Sequence, residues 1–551
     1  MRRRILIGIF LATNVASGQA RIYQSAGRFC ERSAQPQAVS GQVTNVAQAV
    51  DRIIAREHNE IAVIRHYSPI VETYIQDMKF DQGKGSIPVH DHYFLGQASL
   101  VKGVVDNTML VQQEGHFGQF SPLFHLSGNF KSEFVPEGFL QMIYVNSNGF
   151  DRQHYRFEYV RSEFLGEVKC VVFDVTPLPN SGRGRFKGRI WAENQNYTIV
   201  RFNGGYTPVR GLNPYRIHFD SWRLNMQPGL WLPAYIFSQE ADGNDALGRP
   251  GRFVSQTRLW GYDLPNASHT TEFSEMTVES PTVQDIAARE QDRGPVEAQR
   301  QWLYETETNV LDRLQRTGVL APPGEIDKLL ETVVNNLEVT NNLDIEPEVH
   351  CRVLLTGTLE SFSISHTIVL SRGLIDVLPD EASLATILAQ ELANLIVTTR
   401  SVDPYGFNDL TNVSTVEVLS HFSFRENPAH VEQASEKAVD LLKKSPYKDR
   451  LGNAGLFLKQ LAAESKSLSA LINPHLGNRV FLAQQLIASA PPLQPNKLDQ
   501  IAALPIGARL RLDPWSDRVA LLNTKPVPLY SVREEMPFAI TPFMPVLSTS
   551  W

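Results

Sequence analysis

Three polar side chains on an otherwise apolar segment mark a place where the sequence could do chemistry. Gln390, Glu391 and Asn394 lie in the run from Glu381 to Leu395, whose apolar residues recur at spacings of three and four. On a helix such residues share a face, so Gln390 and Asn394 lie one turn apart with Glu391 beside them. A carboxylate in that setting is a candidate general base, whereas carboxamide oxygens are weak, neutral metal ligands.

The elements that must position this set are predicted from residues 325–398. A helix over 325–339 and a strand over 349–356 come first. β-Branched and apolar residues between Ile364 and Leu374 then predict a second strand. Pro379 ends that strand, and Asp380 is placed to cap the helix that carries Glu391.

The run from Arg372 to Leu395 resembles the gluzincin metallopeptidases of the HtpX and CAAX-prenyl-protease type. In that family, two histidines of an H-E-x-x-H helix hold zinc and the glutamate is the general base. Gln390 and Asn394 stand at the two histidine positions, and Glu391 keeps the glutamate. The other positions that match the family pattern are Gly373, Leu374, Asp380, Glu381, Leu384, Leu388, Ala389, Leu392 and Ala393.

The resemblance extends over residues 321–489 and implies a zincin-like fold. The third zinc ligand of the family, a glutamate, aligns with Gln433, with the register fixed by Tyr447, and Arg479 aligns with a family arginine. All three ligand positions are therefore amides. We expect no zinc and no other cofactor, and a Glu391 that is retained without a catalytic role.

Two alternatives remain for this site. In the first, Gln390, Asn394 and Gln433 form a buried amide network that bridges two helices, since buried amides need partners. In the second, a displaced metal site retains metalloendopeptidase activity. Its candidate ligands are His421, Glu426, His430, Glu432, Glu436 and His475.

The first half of the chain is predicted to be a helix followed by an antiparallel sheet. Apolar residues at helical spacing cover residues 44–65, and short apolar runs separated by turn residues follow from about residue 70 to 273. The links between the runs are too short for crossover helices, so the strands must be antiparallel. The clearest runs are residues 168–178, 185–193, 197–206, 215–224, 231–240 and 252–264.

Residues 188–204, GRIWAENQNYTIVRFNG, resemble a strand, turn and strand of the LolA and LolB type of lipoprotein carrier. That resemblance implies a half-barrel with an apolar concave face. Aromatic residues in the runs could line a lipid cavity, although aromatics at strand spacing also occur in ordinary cores. They are Phe186, Trp191, Tyr215, Phe219, Trp222, Tyr235 and Phe237.

The predicted fold class is therefore α+β: an N-terminal curved antiparallel β half-barrel with a covering helix, then a mainly helical zincin-like domain with a small sheet. Residues 1–20 are predicted to be a signal peptide, because a cationic start precedes an apolar run too short to span a bilayer. The other segments are a lead-in (21–43), the half-barrel (44–273), a helical connector (274–320), the peptidase-like domain (321–489) and a proline-rich tail (490–551).

Composition limits the possible functions. The 551 residues carry 52 basic and 59 acidic side chains, without a basic run, which argues against nucleic-acid binding. Three cysteines do not form a disulfide framework. We expect a periplasmic or secreted, non-catalytic binding or scaffolding protein that holds an extended polypeptide beside the strand near Ile368. The alternative is lipid or lipoprotein carriage. An envelope partner is possible, and the oligomeric state stays open.

Overall fold

The computed structural model describes twelve stretches of the chain: 46–81, 85–99, 103–106, 139–147, 149–207, 217–240, 253–263, 294–397, 418–419, 421–480, 484–492 and 509–522. The predictions of a signal peptide and a lead-in concern residues outside these stretches. So do the first part of the predicted connector and most of the predicted tail.

The predicted first helix is confirmed as α1 (Val46–Ile64). Its buried residues include Val50, Ile53, Ile61 and Ile64, which form one apolar stripe. α1 ends shortly before Pro69, where the chain enters the sheet.

Ten described strands form one antiparallel sheet, in the order β3-β2-β1-β10-β9-β8-β7-β6-β5-β4. The predicted antiparallel sheet is therefore confirmed, and each of the six predicted runs overlaps one of its strands. Within the described residues the end strands β3 and β4 pair with only one neighbour each, so the sheet is open. The strands are β1 (Ile70–Asp81), β2 (Gly85–Ser99), β3 (Gly103–Asp106), β4 (Tyr155–Leu165), β5 (Val168–Pro177), β6 (Phe186–Glu193), β7 (Ile199–Tyr206), β8 (Ile217–Gln227), β9 (Leu230–Glu240) and β10 (Phe253–Trp260).

The two faces of this sheet pack against different parts of the chain. We call the face that packs on α1 the inner face; it contributes Val71, Phe219 and Leu259 to a core shared with Val50 and Ile53. The opposite, outer face carries Ile70, Tyr74, Leu95 and Trp260 at its β1, β2 and β10 end, and these pack on the second half of the chain. The strand alternation of side chains thus separates two cores.

The second half begins with α2 (Pro295–Arg316) and α3 (Glu325–Asn341), followed by a small sheet with the strand order β11-β13-β12-β14. Strand β11 runs parallel to β13, whereas β12 is antiparallel to β13 and to β14. These strands are β11 (His350–Leu354), β12 (Glu360–Ile364), β13 (Thr367–Ser371) and β14 (Asn478–Arg479). The helices that surround them are α4 (Arg372–Val377), α5 (Glu381–Val397), α6 (Pro428–Lys444), α7 (Leu451–Glu464), α8 (Ser469–Ile472) and α9 (Gln484–Ser489).

The single strand predicted from Ile364 to Leu374 is wrong. The chain instead turns at Ser365, where φ is +53°, and forms the hairpin of β12 and β13. Leu374 then lies in α4, because the Ser371 side chain accepts a hydrogen bond from Leu374 N and caps that helix. Alternating apolar residues alone did not reveal the two turns.

The two halves and the tail are continuous in space. One apolar core contains Ile70 and Trp260 of the large sheet together with Leu330, Leu370 and Leu388 of the second half. The tail hairpin, β15 (Leu510–Leu512) and β16 (Val519–Leu521), touches both halves. Leu510 N donates to Asp376 Oδ1 at 2.7 Å, and Gly261 N donates to Asp517 Oδ1 at 2.9 Å.

Candidate functional site

Helix α5 carries the polar set, and its start is fixed as predicted. Ser383 N donates to Asp380 Oδ1 at 2.8 Å, so Asp380 caps the helix. The rest of the helix is mostly apolar, and the helix is buried through most of its length. Gln390, Glu391 and Asn394 are therefore held on a rigid element inside the protein.

The three side chains form an internal hydrogen-bond network with Ser361 of β12. Ser361 Oγ donates to Glu391 Oε1 at 2.6 Å, and Asn394 Nδ2 donates to Glu391 Oε2 at 3.0 Å. Gln390 Nε2 donates to Asn394 Oδ1 at 3.2 Å. Both carboxylate oxygens and the Asn394 amide are thus engaged inside the protein, while Gln390 Oε1 is buried without a partner among the described residues.

Burial raises the pKa of the Glu391 carboxyl above its usual range. The hydrogen bonds from Ser361 and Asn394 act in the opposite direction, and the nearby Glu426 carboxylate raises the pKa further. The Asn478 side chain also lowers it, although Asn478 Nδ2 makes no hydrogen bond of standard length with a described residue. The Glu391 side chain is therefore enclosed, with 1% of its surface exposed.

The donor set does not fit zinc. The amide of Asn394 is used inside the network, and carboxamide oxygens are poor zinc ligands in any case. Gln433 lies on α6 with its side chain exposed, and no hydrogen bond joins it to Gln390 or Asn394. The predicted amide network is therefore wrong in one member: it joins Gln390 and Asn394 to Glu391 and Ser361, and excludes Gln433.

The other predicted site residues are dispersed. Arg479 lies on β14 with an exposed side chain, and His475 stacks on Tyr93 of the large sheet with ring centroids 4.7 Å apart. Across the described ranges, no three His, Cys, Asp or Glu side chains are grouped so that they could hold a metal ion. The displaced metal site proposed from the sequence therefore has no ligand set in this part of the chain.

The strand near Ile368 cannot accept a polypeptide by strand addition, as the sequence had suggested. Ile368 lies on β13, which is central: it pairs with β11 on one side and β12 on the other. The outer edge of β12 is paired with β14 at Glu360 and Ser361, and beyond them Phe362 is buried against Phe424, with ring centroids 5.2 Å apart. No backbone edge of β13 is open to a ligand.

A buried charge cluster at the junction of the two halves was missed by the sequence analysis. Arg372, at 0% exposure, donates from Nη2 to Glu72 Oε2 of β1 at 2.8 Å. Glu72 Oε1 accepts from Tyr93 Oη at 2.8 Å and also from Gly357 N. Glu72 lies between Ile70 and Tyr74 on the same face of a predicted strand. An acidic residue among apolar ones on a strand face indicates a buried charge that needs a partner.

Two further carboxylates bind backbone N–H groups of the second half. Asp91 of β2 accepts from Ala470 N at 2.7 Å and from Leu471 N at 2.8 Å. Glu360 Oε2 accepts from three consecutive backbone N–H groups at 3.1, 2.9 and 3.1 Å, those of residues 475–477. These contacts fix the loop that carries β14, next to Ser361 and Asn478. The large sheet therefore helps to position the network around Glu391.

The inner face of the large sheet is the second candidate site. Phe186, Phe202 and Phe219 cluster there, with ring centroids 5.8–6.1 Å apart. Helix α1 is tied to this face by a buried ion pair, in which both guanidinium ends of Arg223 donate to Glu57 at 2.7 Å. The inner face is thus apolar at its centre and polar where α1 is held.

The predicted cavity-lining aromatics divide between the two faces. Phe186 and Phe219 belong to the inner core. Trp191 and Trp222 lie on the outer face, where Arg201 stacks between them at 4.4 Å from each ring centroid. By strand register Tyr235 is opposite Trp222 and shares that face, Phe237 packs on the junction core, and Tyr215 lies outside the described residues.

The comparisons with known proteins give few matches. No family model matches the chain, so the peptidase resemblance has no support beyond the residues quoted for it. No curated protein matches it either. Among solved structures, the chain is similar to a LolA superfamily protein from Nitrosomonas europaea, with 16% identity, a TM-score of 0.22 and coverage of 40% of this chain and 97% of that chain.

A second solved structure is similar at the same level. It is a putative outer membrane lipoprotein-sorting protein domain from Vibrio parahaemolyticus, with 14% identity, a TM-score of 0.18 and coverage of 39% of this chain and 91% of that chain. Both neighbours belong to the class that the sequence resemblance named. TM-scores this low carry no argument about the activity of this chain. Among its described helices, none combines the length and apolar character that a bilayer span requires.

Proposed function

We propose that the protein is a non-catalytic lipid-binding protein of the bacterial cell envelope, which takes an acyl chain of a lipid or of a lipid-modified polypeptide on the inner face of its large sheet. The observation that carries this proposal is the continuous apolar inner face of an open sheet, packed in the described residues against the long helix α1 and against residues 139–150. Two of the solved structures to which the chain is similar are a LolA superfamily protein and a putative lipoprotein-sorting domain.

Burial of an acyl chain can supply enough free energy for this role. Each buried methylene contributes about 0.8 kcal/mol, so about ten of them contribute roughly 8 kcal/mol before ordering costs. That free energy corresponds to a dissociation constant of about 1 μM. The aromatic cluster of Phe186, Phe202 and Phe219 offers an apolar surface of suitable chemistry.

Entry of a ligand requires α1 to move. The stripe of Val50, Ile53 and Ile64 occupies the inner face in this structure. The Glu57–Arg223 pair lies in the middle of α1, and breaking it would leave a buried charge unpaired. We therefore expect α1 to tilt about this pair while the pair stays formed.

The second half would then act as a support. The network around Glu391 has no open metal position, and the strand near Ile368 has no free edge. We assign to this half the role of holding the β1, β2 and β10 end of the sheet through the contacts of Glu72 and Asp91. The inner face, on the opposite side of the same strands, takes no part in this junction.

The test places a fluorescent reporter on the inner face. Phe219→Trp adds an indole among the aromatic cluster, and Val339→Trp adds one on the exposed side of α3 as a matched control. Both variants are checked for cooperative thermal unfolding and titrated with a fatty acid brominated on its acyl chain. The chain has seven tryptophans of its own, so the unmodified chain is titrated as the baseline. We expect saturable quenching above that baseline in Phe219→Trp and no increase above it in Val339→Trp. Absence of saturable quenching, or equal quenching in both variants, would contradict the proposal.

A further inference from the structure

Strand β4 is the last strand of the large sheet among the described residues. No described strand pairs with the edge that faces away from β5, and the strand is 11 residues long. Two of its aromatic side chains are unusually exposed: Phe164 at 65% and Tyr159 at 49%. A long edge strand with exposed aromatics is a ready template for pairing with another chain.

A bulge in β4 changes which side chains share a face. Tyr159 is opposite Phe173 and Arg161 is opposite Val172, so Val160 is the extra residue. Before the bulge, Tyr155 and Phe157 point to the inner face, which leaves Arg156 and Glu158 on the outer face. After the bulge, Glu163 reaches Trp191 on the outer face, so Arg161 lies there as well.

The outer-face charges of β4 therefore read Arg156, Glu158, Arg161, Glu163 along the strand, all at least partly exposed. In an antiparallel pair of two β4 strands with the two-fold axis between residues 159 and 160, Arg156 lies opposite Glu163 and Glu158 lies opposite Arg161. On the inner face the same register places Tyr155 opposite Phe164. Every charged residue meets its opposite charge, and like faces meet like faces except at the axis itself, where Tyr159 of the inner face lies opposite Val160 of the outer face.

The bulge is required for this match. In a regular strand, residues whose numbers differ by an odd amount point to opposite faces, so this register would set outer residues against inner ones. The extra residue at Val160 reverses the alternation once in each strand, and the two reversals coincide at the axis. An edge strand that only repels other strands needs charged side chains, but it does not need alternating signs, and the charge pattern does not need to be centred on the bulge.

We propose that two copies of this chain associate through β4, edge to edge and antiparallel about a two-fold axis at residues 159 and 160, to form one continuous sheet. Such an interface is isologous, so a single self-complementary strand suffices. One strand edge buries less area than a standard protein interface, and the dimer is therefore concentration-dependent in the micromolar range and above. The competing interpretation is that the charges and the bulge guard the edge against pairing.

Charge reversal separates these interpretations. Glu158→Arg places two arginines opposite each other, and Arg161→Glu places two glutamates opposite each other, so each variant alone should sediment as a monomer at concentrations where the unmodified chain dimerises. An equimolar mixture of the two variants restores both opposite-charge pairs and should form a heterodimer. Lys328→Glu, an exposed reversal on α3, should leave dimerisation unchanged.

The measurement is sedimentation velocity over a concentration series, with one variant carrying a fluorescent label in the mixing experiment. The proposal is supported if the single variants are monomeric and the mixture dimerises. It is overturned if the unmodified chain stays monomeric at every concentration, which would favour the guarded edge. It is also overturned if the single variants dimerise as well as the unmodified chain, or if the mixture remains monomeric.

Discussion

Replacing Glu72 by glutamine should destabilise the whole protein, because Glu72 neutralises a fully buried arginine across the junction of the two halves. Arg372 is 0% exposed and Glu72 is 3% exposed. Glutamine keeps the size of the side chain and one oxygen acceptor, so the change removes mainly the negative charge. Loss of one partner of a buried ion pair leaves the other charge uncompensated, which typically costs about 3–5 kcal/mol.

We expect the lower end of that range for Glu72→Gln. Arg372 Nε still donates to Leu355 O at 2.9 Å, and the glutamine oxygen can accept from either Arg372 or Tyr93. A loss of about 3 kcal/mol is a large part of the roughly 5–15 kcal/mol that stabilises a typical domain. Because the core is shared, the loss should appear in the unfolding of both halves.

The assay is equilibrium urea unfolding followed by tryptophan fluorescence and by far-ultraviolet circular dichroism. The matched control is Asp174→Asn, which removes a carboxylate from the surface pair with Arg189, whose side chains are 42% and 35% exposed. That change should cost no more than about 1 kcal/mol. If Glu72→Gln costs as little as the control, or shifts only one of two separate transitions, the argument for a buried charge in a shared core is refuted.

A double variant tests the cause of the loss. Arg372→Met combined with Glu72→Gln removes the uncompensated charge, and an apolar replacement of a buried pair is often neutral or stabilising. The double variant should therefore be more stable than Glu72→Gln alone. Equal or lower stability would mean that the loss comes from the contacts of Glu72 with Tyr93 and Gly357.

Three further predictions concern other sites. Burial raises the pKa of Asp517 to about 7. The folded state therefore keeps a proton that the unfolded state releases near pH 4. The free energy of unfolding should fall between about pH 4 and pH 7 and level off above pH 7. Asp517→Asn, which suits the local φ of +57°, should flatten that decline in unfolding midpoints measured across this range. Gly373→Ala should lower the free energy of unfolding, measured by urea denaturation, by about 1–3 kcal/mol or more, because a Cβ there would lie 2.0 Å from Gly357 O. Gly324→Ala, where the nearest atom lies at 3.8 Å, should not. Elemental analysis of the chain purified without chelator should find far less than one zinc per chain. A triple variant with Gln390→His, Asn394→His and Gln433→Glu should bind zinc no more tightly than the double variant that lacks Gln433→Glu, because Gln433 is exposed on α6.

The elements with strong periodicity could be predicted from the sequence. The stripe of α1 predicted that helix, and the short links predicted six of the ten described strands of the large sheet, within a few residues, because each depends on local spacing and burial. Strands β1 to β4 had no individually predicted bounds. The hairpin of β12 and β13 was missed because its turn at Ser365 uses a positive φ without glycine. The cap of α4 was missed because it depends on one Ser371 hydroxyl.

The site could be predicted only in its local part. Gln390, Glu391 and Asn394 lie on one helix, so their mutual geometry follows from helical spacing. The contact of Glu391 with Ser361 depends on the distance between β12 and α5, and the exposure of Gln433 depends on the rotation of α6. Sequence spacing does not determine either quantity, because tertiary packing sets them.

The strand order of the large sheet allows the proposed functions to coexist. The second half packs on the outer face at β1, β2 and β10, the proposed ligand lies on the inner face, and the proposed dimer edge is β4, six strands beyond β10. A dimer through β4 would therefore extend the inner face across the two-fold axis and hold the two second halves at opposite ends of one sheet. If acyl chains bind as proposed, the dimer would present two inner faces side by side. If each inner face binds its ligand independently, the monomeric variant Glu158→Arg should bind the ligand with the same affinity as the unmodified chain. A lower affinity in that monomeric variant would mean that the ligand spans both copies.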